Sequence, residues 1–131
     1  MSKSDEEVGI IRQTVATILD EDSSIAFAYL FGSVAIGGFR SSSDVDIAIM
    51  FEGEPPRIRD QLALHHKLAK ALHRDVDLLV LNTSRSYSLW NSIVRDGIPV
   101  VNRVPERRFD YEVGLVHDCL DFMAFRELAD A

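Results

Sequence analysis

The sequence predicts an α/β (α+β) domain, a small sheet with helices packed against it. Three observations predict this. Short apolar runs ending in turn signals recur at Ile25 to Phe31, Val45 to Glu52 and Asp75 to Asn82, and their length suits strands rather than helices. Around them lie segments whose apolar residues repeat at helical spacing. The resulting order, helix–strand–strand–helix–strand–helix–helix, belongs to helices layered on one sheet.

Taken in order, Ser4 or Asp5 can cap the first helix, and Glu6 and Glu7 favour its first turn. Val8, Ile11, Val15, Ile18 and Leu19 share one face of it. "IAFAYLF" reads as a buried strand stopped by Gly32-Ser33, and "VDIAIMFE" as a second strand followed by a "GEPP" loop. The next helix aligns Ile58, Leu62, His65, Ala69 and Leu72. "DVDLLVLN" is the third strand. Tyr87 to Arg95 predicts a short helix ended by Gly97, and "IPVVN" a brief extended piece. Pro105 opens the last helix, where its missing N–H does no harm. Phe109, Val113, Val116, Leu120 and Met123 form one stripe of that helix, and Leu115, Cys119 and Phe122 a second. One stripe is expected to cover the sheet; either Leu115, Phe122 or Phe125 contacts another chain or a second copy, or both stripes are covered by the first helix and the Tyr87 to Arg95 segment.

The 131 residues suit a single domain, 1–131, and 47% apolar content is enough for a packed core. No apolar run approaches the ~20 residues of a membrane span. The polar, acidic start is no secretory signal, so a cytoplasmic protein is expected. One cysteine, Cys119, excludes an internal disulfide and a cysteine metal cage; it reads as a small buried hydrophobe. A net charge of −7 argues against unaided nucleic-acid binding. It fits a protein that meets a basic partner or collects divalent cations.

The chemistry concentrates in "YLFGSVAIGGFRSSSDVDIAIMF". Side chains alternate along a strand, so Asp44 and Asp46 share a face while Val45 and Ile47 point into the core. Two such carboxylates raise each other's pKa, and a divalent cation between them removes the conflict. Oxygen ligands suit Mg²⁺, which also shares substrate phosphates. Asp75 and Asp77 repeat the theme on the third strand, and three carboxylates converge if that strand pairs beside the second. Gly32 lets backbone approach a phosphate, the turn offers N–H groups, and the Ser33 hydroxyl can donate. Gly37 and Gly38 keep the connecting loop thin.

Gly32-Ser33, ten residues, then Asp44-x-Asp46 resembles the signature of the DNA polymerase β-type nucleotidyltransferase superfamily. The fuller text is similar to the MNT group, the minimal nucleotidyltransferases, with matches at Gly32, Ser33, Ala35, Gly37, Ser43, Asp44, Asp46 and Ile47. Val34 departs from the pattern, since an Arg is frequent there; Arg40 is a candidate substitute. Val76-Asp77-Leu78 resembles the strand of the third carboxylate, which favours Asp77 over Asp75. The resemblance implies a nucleotidyltransferase fold, a small mixed sheet flanked by helices. It implies transfer of NMP from an NTP to a hydroxyl, with release of pyrophosphate. Asp44, Asp46 and Asp77 would be the catalytic and metal residues, holding two Mg²⁺ ions, and Asp77 would also help activate the acceptor. Gly32, Ser33 and Arg40 would bind the nucleotide.

The same resemblance implies a partner, a HEPN-domain RNase toxin for which this chain is the antitoxin, with AMP passing from ATP to a toxin tyrosine. Two rivals stand beside it: an antitoxin acting by contact alone, and a transferase for a small molecule. A homo-oligomer is compatible with the second apolar stripe. His65, His66 and His73, Tyr87 and Trp90 are read as surface or packing residues, and Arg103, Arg107 and Arg108 as a solvated helix start.

Overall fold

The computed structural model describes residues 3–37, 40, 43–84, 93 and 95–130, with side chains at all of these except 3, 4, 119 and 121–130. Helix α1 is Lys3–Asp20 and strand β1 is Ile25–Phe31. A single helical turn, α2, follows at Ser33–Ile36, and then strand β2 at Val45–Phe51. Helix α3 is Ile58–Leu72 and β3 is Val76–Val80, running into a 3₁₀ turn at Leu81–Thr83. Strand β4, Ile98–Asn102, precedes helix α4, Pro105–Asp130. The expected brief piece "IPVVN" is therefore a strand of the sheet. Most of the helix expected over Tyr87 to Arg95 lies outside the described residues. Its end is visible: Ile93, Arg95 and Asp96 are helical, and the Gly97 N–H donates to the Ile93 carbonyl at 3.0 Å.

The strands lie in the order β3-β2-β1-β4. β1 is antiparallel to β2 and to β4, while β2 and β3 are parallel. The sheet is thus mixed and flanked by helices, with α3 supplying the crossover that a parallel pair requires. β1 is central and covered on both faces, and residues 25 to 30 of it are all buried. That is why it reads as an unbroken apolar run rather than an alternating one.

Two cores result. On one face, Ile25, Leu30, Ile47 and Ile49 pack with Ile11, Val15 and Leu19 of α1 and Leu68 of α3. On the other, Phe27, Tyr29, Ala48 and Met50 pack with Ile93 and with Tyr111 and Leu115 of α4. Two expectations are corrected. Ile58 and Leu62 of α3 are exposed, and the inner stripe is Leu64, Leu68 and Leu72. In α4, Leu115 is core and cannot contact another chain, whereas Phe109, Val113, Val116 and Leu120 face outward. Tyr111 decides this, because its ring sits one turn before Leu115 and packs on Phe27 at 5.7 Å between centroids. The side chains of Cys119, Phe122, Met123 and Phe125 lie outside the described residues, as do Tyr87 and Trp90. Among the described residues, no helix is long and apolar enough to cross a membrane.

Candidate active site

β1 ends at Phe31, and Gly32 turns the chain into α2. Its φ of 73° and ψ of −147° lie in a region essentially reserved for glycine. A second constraint acts on the same residue: a Cβ at position 32 would collide with the Asp46 carboxylate. The close approach of backbone to carboxylate therefore depends on the missing side chain. The Gly32 carbonyl accepts the N–H groups of Ala35 at 3.0 Å and Ile36 at 3.1 Å, and Ser33 O accepts that of Gly37 at 3.1 Å. Ser33 and Val34 head this turn, so they have no carbonyl one turn back for their own N–H groups. The Val34 side chain is buried in the first core, so position 34 offers a phosphate its N–H but no side-chain cation.

Asp46 is opposite Phe31 on β1 and opposite Asp77 on β3. Adjacent strands are about 4.8 Å apart, and both carboxylates stand on the α4 face of the sheet, the face of Ala48, Met50 and Leu79. The Asp46 carboxyl is pushed up to about 6. Partial burial is the largest cause, followed by the charge of Asp77, a hydrogen bond shared with Asp77, and the charge of Asp44. Asp44 is exposed just before β2 and acts on Asp46 through charge. Asp75 uses its backbone: its carbonyl accepts the Val45 N–H at 3.0 Å and fixes where β2 starts.

Among the described residues, no three His, Cys, Asp or Glu side chains are gathered as around an ion. Asp46 and Asp77 meet each other, with Asp44 beside them electrostatically. An all-oxygen donor set of this kind fits a hard cation such as Mg²⁺, and a cation there would offset the repulsion that raises the Asp46 carboxyl.

The loop before β2 is braced by Arg74, which the sequence reading did not single out. Its Nη1 donates to the Arg40 carbonyl at 3.1 Å, and its Nη2 pairs with Glu7 of α1 at 3.3 Å. Within the loop, the Arg40 N–H donates to Ser43 Oγ at 2.9 Å and the Ser43 N–H to the Arg40 carbonyl at 3.0 Å. The Arg40 residue is exposed. A lone Arg before an acidic strand carries no sequence signal for such a brace, which joins residues far apart in the chain.

The three arginines near α4 do not form one anion site. Arg103 caps the end of α1 through the Asp20 and Asp22 carbonyls and the Asp20 carboxylate. Arg107 pairs with Glu52 at 3.2 Å. Arg108 donates to Glu112 at 3.1 Å and to the Tyr29 hydroxyl at 3.2 Å. The Tyr29 hydroxyl donates to Glu112 at 2.6 Å. Burial pushes that hydroxyl well above the usual phenol range, and Glu112 adds to the effect while Arg108 opposes it. His65 fastens α3 to β3, its Nε2 lying 2.6 Å from the Val76 carbonyl.

No curated protein matches the chain. Among solved structures, a chain from a toxin–antitoxin complex with AMP-PNP shares 26% identity and superposes with a TM-score of 0.75, over 90% of this chain and 94% of that one. A chain from the complex of tri-AMPylated Shewanella oneidensis HEPN toxin with MNT antitoxin shares 24% identity at a TM-score of 0.70, over 93% and 94%. One from an MntA–HepT toxin–antitoxin complex shares 23% at 0.71, over 92% and 94%. The family model described as polymerase beta, nucleotidyltransferase matches residues 13–106, a span holding the Gly32-Ser33 turn, the whole sheet and all three aspartates. By that match the chain belongs to the polymerase beta nucleotidyltransferase family.

Proposed function

We propose that this protein is a Mg²⁺-dependent transferase that moves AMP from ATP to a tyrosine hydroxyl of a HEPN-type RNase toxin, and so acts as its antitoxin. The observation that carries the reading is the in-register Asp46–Asp77 pair set against the Gly32 turn. Support comes from the structural relatives: one complex of the same fold binds AMP-PNP, and another contains a tri-AMPylated HEPN toxin. The whole chain, 1–131, acts as one cytoplasmic domain in this reading.

Asp44, Asp46 and Asp77 would hold Mg²⁺. Bound there, the ion supplies a clamp on the phosphate oxygens and offsets the charge that develops on them. Gly32 leaves room for the triphosphate against backbone, and Ser33 contributes its hydroxyl and N–H to it. Arg40 supplies the cation that the buried Val34 does not. The acceptor oxygen bonds to the α-phosphorus as the bond to the β-phosphate breaks and pyrophosphate leaves. Asp77 orients the acceptor O–H and takes its proton. A second reading, neutralisation by contact alone, is favoured by the exposed apolar stripe of α4.

The test uses the purified chain, a HEPN-domain protein from the same genome, Mg²⁺, and ATP labelled at either the α- or the γ-phosphate. Label from the α-position alone should remain on a partner tyrosine. Transfer of the γ-label, or of neither, would contradict adenylyl transfer.

A further inference from the structure

Helix α4 carries a second apolar stripe that nothing in the chain's described residues covers. Phe109, Val113, Val116 and Leu120 are 67%, 38%, 36% and 56% exposed. Their spacing of four, three and four residues is that of a coiled-coil seam. The helix already uses another face for its own core, through Tyr111 and Leu115. It is also long. Its 26 residues span about 39 Å, whereas the seven residues of β1 span about 23 Å. A helix built only to cover this sheet needs neither the length nor the second seam.

The charges beside the stripe say what fits it. One edge carries the exposed Glu106 and Asp110, with His117 between stripe and solvent. The other carries Glu112, already bonded to Arg108 and Tyr29. The cations of this part of the helix are engaged within the chain, Arg107 by Glu52 and Arg108 by Glu112. A second copy on this seam would bring together two stripes flanked by the carboxylates Glu106, Asp110 and Glu112, on chains of net charge −7 each. Like charges at such edges destabilise the pair.

We infer that the Phe109–Val113–Val116–Leu120 stripe is the docking seam for a helix of a protein partner, one with an apolar face flanked by Lys or Arg. The inference rests on the reading that the acceptor is a protein. Because α4 packs on the sheet face that bears Asp46 and Asp77, a partner seated on it is held on the catalytic side of the sheet.

The experiment measures the affinity of the full chain for its HEPN-domain partner with three variants: Val116→Glu, Phe109→Ser, and Glu106→Lys combined with Asp110→Lys. Circular dichroism and Mg·ATP binding confirm that each is folded. All altered side chains are exposed, so both should match wild type. The two stripe variants should weaken the complex about tenfold or more. The charge-reversal variant should weaken it too, with an effect that shrinks as salt rises. Unchanged affinity in both stripe variants would overturn the seam. A wild-type chain that is itself a dimer, split by Val116→Glu, would overturn the choice of occupant in favour of a second copy. A complex that depends on the stripe yet shows no AMP transfer would leave the seam standing and overturn the transferase reading instead.

Discussion

Asp46 is where burial, charge and backbone geometry meet. It sits against a glycine that permits no side chain and beside an aspartate in register, so its ionisation works against the fold in the absence of a cation. Its carboxyl titrates near 6 against an ordinary value of 3.8. A carboxyl raised on folding contributes stability below its unfolded pKa and loses it as pH rises through the folded one. The metal-free chain should therefore lose stability between about pH 4 and about pH 6. Asp46→Asn should flatten that window and, at neutral pH, raise stability by about 1 kcal/mol once solvent screening is allowed for, or a few degrees in Tm. Mg²⁺ should raise the Tm of the wild type above pH 6 and leave Asp46→Asn unmoved. Thermal melts across pH, with and without Mg²⁺, check all three. Gly32→Ala should behave in the opposite way. Backbone strain of about 1–3 kcal/mol should lower its Tm, and displacement of the Asp46 side chain should remove transfer. Ser33→Ala should keep the fold and weaken ATP binding ten- to hundredfold, by titration calorimetry, because a hydrogen bond to a charged group is worth ~1.5–3 kcal/mol.

The elements were legible in proportion to how local their signals are. β1, β2 and α1 could be read from apolar runs and periodicity, and so could the Gly32-Ser33 turn with Asp44 and Asp46 ten residues beyond it. β4 was harder, since "IPVVN" contains a proline and five residues; its place as an edge beside β1 is set by tertiary pairing. Periodicity in α4 showed two stripes but not which one faced the sheet. That depended on Tyr111, an aromatic outside both stripes that joins Leu115 against Phe27. Tyr29 lies 83 positions from Glu112, and the Arg74 brace joins residues 34 and 67 positions apart, so no window of sequence contains these groups. Each yields an expectation. Tyr29→Phe removes one hydroxyl from a half-buried ionic group and should cost about 1–2 kcal/mol by denaturant unfolding. Arg74→Ala frees the Arg40–Ser43 loop from α1 and should raise the KM for ATP about three- to tenfold with a smaller change in kcat. Arg74→Lys should recover part of the loss. A change in kcat alone would mean that the loop does not need this brace.

At the scale of the molecule, both faces of the sheet carry a core, and the one under α4 also bears Asp46 and Asp77, the proposed catalytic pair. α1 and α3 seal the first face, and among the described residues α4 covers part of the second, with Asp46 and Asp77 beside the Gly32–Ser33 turn. Among the described residues, the outer stripe of α4 is an exposed apolar surface from which a large acceptor could be held. In the proposed function, neutralisation is chemical, carried by the aspartates, and separable from contact. The direct measurement is growth of cells expressing the HEPN toxin together with wild type or Asp46→Asn, with co-purification scored in the same cells. The account predicts that wild type restores growth, whereas Asp46→Asn binds the toxin as well as wild type does and fails to restore growth. Full rescue by Asp46→Asn, with no nucleotide on the toxin, would contradict it.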